Sequence, residues 1–168
     1  MKTMKTDPTR NIRIAGLGGM GILTSSQVLA EVLFEAGYDV KKAEVHGMAQ
    51  RGGSVASDIR FGRHILSPMI PDGETDFLLI LASEEIEMHR PALRPGGVLI
   101  DARAFDAAAL PNRKSLNIAM LGALSRHLDI PVDAWHRAIR AAFPEKLRDL
   151  NVQAFETGRN LPKPGDTL

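Results

Sequence analysis

Cysteine is absent from the 168-residue chain. That excludes a disulfide framework, a thiol nucleophile and thiolate ligands for an iron–sulfur cluster. Aromatic residues are scarce, with one Trp and one Tyr beside six Phe. The net charge is only +1, and nothing global draws the chain to nucleic acid or to an anionic membrane. No apolar run approaches the roughly 18 residues that span a bilayer. The start MKTMKTDPTR lacks the apolar segment of a signal peptide, and a cytoplasmic location is expected. The five histidines are not spaced as helix-borne metal ligands, and no metal site is expected.

What is present is a single-domain composition, 44% hydrophobic and 24% charged. NIRIAG (11–16) reads as a strand, GLGGMG (16–21) as a glycine loop and residues 22–37 as a helix stopped by Gly37. YDVKKAEV (38–45) and SVASDIRF (54–61) read as strands. Gly62-Arg63 reads as a type II′ turn into a returning strand at HILS (64–67). DFLLILA (76–82) reads as a strand buried on both faces. Ser83 is placed to cap a following helix, PGG (95–97) to end that unit, and VLIDA (98–102) to form another strand. Three helical segments follow, restarted at Pro131 and Pro144. The order predicts an α/β domain with a mixed sheet and a Rossmann-like start.

The loop GLGGMG matches G-x-G-x-x-G between a strand and a helix, the context in which backbone amides and a helix N-terminus bind phosphate. Glu44 stands near the position of the ribose-binding acid of that fingerprint, yet it runs into His46-Gly47 rather than a crossover helix. Three readings stay open: a stand-alone NAD(P)- or flavin-nucleotide-binding module, a tight turn that lets the helix pack on the sheet, and anion contact in another fold. The second stretch, HGMAQRGG (46–53), places His46, Gln50 and Arg51 beside Gly52 and Gly53. Arg51 is suited to grip a carboxylate or phosphate as a fork, and the paired glycines let backbone approach a bound group.

EVHGMAQRGGSV (44–55) resembles the signature of the small, gamma-type subunit of 2-oxoacid:ferredoxin oxidoreductases, the indolepyruvate enzyme in particular. The glycine loop and the helix after it, IRFGRHILSPMIPDGETDFLLIL, PGGVLIDA, NIAMLGAL and the closing Asn151, Ala154, Phe155 and Gly158 are similar too. The likeness spans about residues 11–160 as one gamma-type domain, with residues 1–10 and 161–168 as tails. Met20 stands where the family's loop usually has glutamine.

The resemblance implies a three-layer α/β/α fold. It also implies a subunit of a complex that decarboxylates an aryl-pyruvate-like 2-oxo acid to an acyl-coenzyme A and passes electrons to ferredoxin. Thiamine diphosphate, magnesium and the iron–sulfur clusters then belong to a larger partner subunit, because this chain has neither cysteines nor a thiamine motif. Coenzyme A is expected at the interface, the assembly is a homodimer or hetero-oligomer, and the chain is not expected to be active alone. Gly16, Gly18, Gly19, Gly21, His46, Gln50, Arg51, Gly52 and Gly53 are the candidate cofactor-binding residues, and no catalytic residue is assigned. Arg51 has two expected roles, anion binding or an ion pair across the subunit interface. Trp135 and His136 are read as packing and surface.

Overall fold

The computed structural model describes residues 8–46 and 53–161, with only the backbone of His46. Strand β1 (Arg10–Leu17) leads through the glycine loop into helix α1 (Ile22–Glu35). Strands β2 (Asp39–His46) and β3 (Ser54–Gly62) follow, then β4 (Thr75–Ile80). A 3-10 turn (Ser83–Glu85), the short helix α2 (Ile86–His89) and a second 3-10 turn (Arg90–Ala92) carry the chain to β5 (Leu93–Asp101). Helices α3 (Leu116–Ser125), α4 (Val132–Ala142) and α5 (Glu145–Arg159) complete it.

The five strands form one sheet in the order β2-β3-β1-β4-β5. β3 runs antiparallel to both β1 and β2, while β1, β4 and β5 are parallel. The mixed α/β fold is as the sequence led us to expect. β1 and β2 therefore point the same way, and both end at the edge where β4 and β5 also end. β3 begins at that edge.

Alternation along the strands splits the core in two. Ile12 and Ile14 of β1 and Phe77 and Leu79 of β4 face a large cluster with α1, α3, α4 and α5. Ala15, Ala56, Leu78 and Ile80 face a small cluster completed by Ile86 of α2. Among the described residues the second outer layer is thin, the segment around α2.

The hairpin differs from the sequence expectation. Residues 64–67 form no strand, because β3 already has β1 on one edge and β2 on the other and offers no free ladder. Instead the Ile65 N–H donates to Asp39 Oδ2 at 2.7 Å, and Arg60 donates to the Ser67 and Met69 carbonyls at 3.1 and 2.7 Å. The true hairpin is β2–β3, joined through the HGMAQRGG stretch. Nor does PGG end the preceding unit. It lies inside β5, in a bulge where Thr75 faces Leu93 but Phe77 already faces Val98, and proline is tolerated on this edge strand.

Helices α3 and α5 meet at glycines. A Cβ on Gly122 would collide with the Phe155 carbonyl oxygen, and one on Gly158 with the carbonyl oxygen of Ala119. Beside this contact Trp135, fully buried, stacks on Phe155 with ring centroids 5.5 Å apart. In an exposed helix Gly→Ala stabilises by about 1 kcal/mol. Here Gly122→Ala and Gly158→Ala are expected to destabilise by about 3 kcal/mol each, read as a lowered urea midpoint. A raised midpoint would mean that the two backbones do not touch.

Candidate functional site

Four chain ends converge on one edge of the sheet: the glycine loop after β1, the end of β2 with the start of β3, the turn after β4, and the end of β5. In open α/β sheets this is where ligands gather.

The four loop glycines have different tasks. Gly16 lies within β1, where a Cβ would sit 3.1 Å from both Ile22 Cδ1 and Leu81 Cβ. Gly21 has φ +76° and is the left-handed entry to α1, with the Asn117 side chain pressed against it. The Gly21 carbonyl accepts from Asn117 Nδ2 at 3.0 Å, from the Ser25 N–H at 3.0 Å and from Ser25 Oγ at 3.0 Å. Gly16 and Gly21 are therefore fixed by packing. The Gly18 N–H is already committed, donating to the Gly53 carbonyl at 2.9 Å. Gly18 and Gly19 are both exposed, and Gly19, with φ +88°, also has open space where a Cβ would point.

The Gly18–Gly53 hydrogen bond also joins the two sequence motifs. Gly53 and the backbone of His46 stand at the same sheet edge as the glycine loop. Gln50, Arg51 and Gly52 lie outside the described residues. Met20 is folded inward. Its sulfur lies 3.4 Å from the Leu17 nitrogen as an acceptor for that N–H, and its side chain packs against the large core.

Residues that the sequence reading did not single out complete the edge. A cleft of about 420 Å³ runs from Gly19, Met20 and Gly21 to Arg113, Lys114, Asn117 and Phe143. Arg113 and Lys114 are exposed, in the turn just ahead of α3. A second cleft of about 420 Å³ lies on the other side of the loop, between Gly18, Leu23, Thr24 and Val55. The cationic pair sits far along the chain from the loop it faces. Only the fold brings them together.

The thin layer holds ionic groups under the same edge. Arg13 Nε and Nη2 donate to the two oxygens of Asp58 at 2.7 and 2.8 Å, a fork across β1 and β3 that raises the Arg13 pKa. Ser54 donates to Glu85 Oε2, which ties the start of β3 to the turn after β4. Ser83 does not cap a helix through its side chain. It donates instead to Asp101 Oδ1 at 2.8 Å, because the end of β5 places that carboxylate beside it. Burial pushes the Asp101 pKa up, but donation from the Arg103 side chain and N–H and from Ser83 outweighs this and leaves it below the usual carboxylate value.

His89 is buried, with Nε2 3.6 Å from Glu85 Oε2, beyond hydrogen-bond length, and Nε2 has no hydrogen-bond partner among the described residues. Burial and the Arg13 charge lower its pKa, against the opposing pull of Glu85 and Asp58. Among the described residues no three His, Asp or Glu side chains group as a metal site would require. Nor is any described helix long and apolar enough to cross a membrane.

The dinucleotide fingerprint is incomplete in three dimensions. β3 is inserted between β1 and β2, so Glu44 stands one strand further from the glycine loop than the ribose-binding acid of that motif would.

This fold is that of a known family. Residues 11–161 match the family model described as pyruvate ferredoxin/flavodoxin oxidoreductase, and the chain belongs to that family. The indolepyruvate oxidoreductase subunit IorB of Pyrococcus horikoshii is 33% identical, over 88% of this chain and 93% of that one. The gamma subunit of a keto/oxoacid ferredoxin oxidoreductase from Geobacter sulfurreducens superposes with a TM-score of 0.71 at 22% identity, covering 92% of this chain and 97% of that one. A 2-oxoglutarate:ferredoxin oxidoreductase from Magnetococcus marinus, solved with 2-oxoglutarate, coenzyme A and succinyl-CoA bound, superposes with a TM-score of 0.75 at 21% identity. This chain covers 31% of that one and is itself 92% covered. The chain is thus a small oxidoreductase subunit by family, as the glycine loop and HGMAQRGG together led us to expect.

The His89 environment has a consequence for pH. A histidine whose folded pKa is lowered is protonated first in the unfolded chain. Its contribution to stability is full above the ordinary value of 6.5 and is lost as pH falls below it. Between pH 7.5 and 5.5 the melting temperature of the native chain is expected to fall more steeply than that of His89→Gln. Parallel curves for the two would show that His89 is not held neutral by its surroundings.

Proposed function

We propose that this chain is the small subunit of a cytoplasmic, thiamine diphosphate-dependent oxidoreductase that takes an aryl-pyruvate, indolepyruvate-like acid to its acyl-coenzyme A. The observation that carries the reading is the 33% identity to an indolepyruvate oxidoreductase subunit across nearly the whole of both chains. A larger subunit then holds the thiamine diphosphate, the magnesium and the clusters, and delivers electrons to ferredoxin. The lack of cysteine supports that division of labour, since no thiolate here could ligate iron.

In this reading the loop-bearing sheet edge faces the larger subunit. Coenzyme A, which supplies the thiol that accepts the acyl group, suits the chemistry of the cleft beside Gly19. Arg113 and Lys114 are two cations for its phosphates, and the open backbone at Gly19 admits a phosphate closely. Arg51, outside the described residues, is the further anion-binding cation of this reading, or else an ion-pair partner for the larger subunit. Gly16, Gly18 and Gly21 shape the loop rather than contact the ligand. The incomplete dinucleotide fingerprint argues against the stand-alone NAD(P) or flavin reading.

The test is co-expression with the larger subunit and an assay of aryl-pyruvate-dependent dye reduction. The double variant Arg113→Glu/Lys114→Glu is expected to raise the KM for coenzyme A roughly tenfold or more, with the KM for the oxo acid unchanged. An unchanged KM for coenzyme A would remove the cleft from its site. A chain that purifies alone with a nucleotide bound, and stimulates no oxo-acid oxidation, would overturn the subunit reading itself.

A further inference from the structure

β2 ends the sheet, and its outer edge has no strand beside it among the described residues. At 8 residues it is long for an uncovered edge, which proteins ordinarily shorten, bend or charge to prevent pairing with another chain. Lys41 and Lys42 are the residues expected of such a guard. Glu44 adds a charge of the opposite sign, and Val45 is no guard at all. Val45 is 57% exposed.

We propose that the outer edge of β2 pairs antiparallel with β2 of a second copy of this chain, about a two-fold axis through Ala43, to make one continuous ten-stranded sheet. The inference stands on the strand and its charges and is independent of the oxidoreductase reading.

Symmetry restricts the choices. In an antiparallel pair, residues directly opposite share one face of the sheet. A two-fold axis normal to the sheet then makes one residue face its own copy. With Ala43 on the axis, Lys42 faces Glu44 of the partner copy and Glu44 faces its Lys42, two opposite-charge pairs from one contact. Shifting the axis by one residue in either direction sets Lys42 against Lys42 or Glu44 against Glu44. The Ala43 register is the arrangement in which the charges attract and the smallest side chain occupies the centre. Lys42 and Glu44 already stand on one face within the chain, 3.4 Å apart, with side chains 24% and 35% exposed. They are positioned to exchange that contact for the cross-strand one.

Both faces of the edge also carry apolar surface. On the thin-layer face, Lys41 lies opposite Val45 of the partner copy, and its aliphatic stem can cover that side chain. On the helical face, Lys42 donates to Gln27 of α1 at 3.2 Å. Phe34, 64% exposed, stands one heptad further along the same stripe of α1. An apolar side chain thus flanks the edge on each side, as at the rim of a pairing surface.

The absence of cysteine makes the test direct. Full-length chain is examined by sedimentation velocity across a concentration series, with circular dichroism confirming the fold of each variant. The native chain is expected to dimerise. Lys42→Glu and Glu44→Lys each create two like-charge pairs and are expected to weaken self-association roughly tenfold. The double variant Lys42→Glu/Glu44→Lys restores opposite charges and is expected to restore the dimer. Ala43→Cys places a lone thiol on the axis, at the Cα spacing of an antiparallel pair, which lies within disulfide range. It is expected to cross-link under mild oxidation, and Asp39→Cys, away from the axis, is not. A native chain that stays monomeric overturns the proposal, as does a dimer indifferent to both single reversals or a double variant that fails to recover. A β2 edge protected only when a larger subunit is added overturns it as well, and would leave the oxidoreductase reading intact.

Discussion

The position of β3 is the constraint on which the rest of the molecule depends. The α1 crossover brings β2 back parallel to β1, and β3 returns antiparallel into the gap between them. Four connections then open on one edge. The same insertion fills both ladders of β3, which is why residues 64–67 are held by Asp39 and Arg60 instead of pairing as a strand. It also moves Glu44 away from the glycine loop. A motif that reads as dinucleotide-binding in one dimension thereby becomes one half of a two-loop edge, tied by the Gly18 N–H to the Gly53 carbonyl.

Under that edge the thin layer behaves differently from the helical layer. The helical face is held by close-packed apolar side chains and by two glycines that let α3 and α5 touch backbone to backbone. The thin face has few apolar residues to bury, and fixes the strand ends through charge. Arg13 grips Asp58, Glu85 holds Ser54, and Ser83 and Arg103 hold Asp101. Forked and charge-assisted bonds of this kind fix geometry more than they add net stability. Together with the Gly18–Gly53 hydrogen bond they hold the two loops in register at the sheet edge.

Much of the architecture was legible because local rules and tertiary demands agree. Alternation in β1, the unbroken apolar run of β4, the left-handed stop at Gly37 and the proline restarts at Pro131 and Pro144 each reflect a preference the fold keeps. The misreadings share a cause. Gly62-Arg63 is good turn chemistry, but a hairpin needs a free ladder, and strand order decides that. PGG looks like a terminator, yet the edge position of β5 lets it be a bulge. Ser83 looks like a cap, until β5 delivers Asp101 to its hydroxyl.

The sequence by itself determined that this is an α/β domain without thiolate chemistry, built around a glycine loop and HGMAQRGG. Both follow from residue types, whose conformational freedom and reactivity are local properties. It could not assign the loop glycines their separate tasks, nor show that Arg113 and Lys114 face Gly19, nor that His89 lies buried beneath the start of β3. Those are matters of proximity between residues distant along the chain, and proximity is set by the order and direction in which the strands assemble.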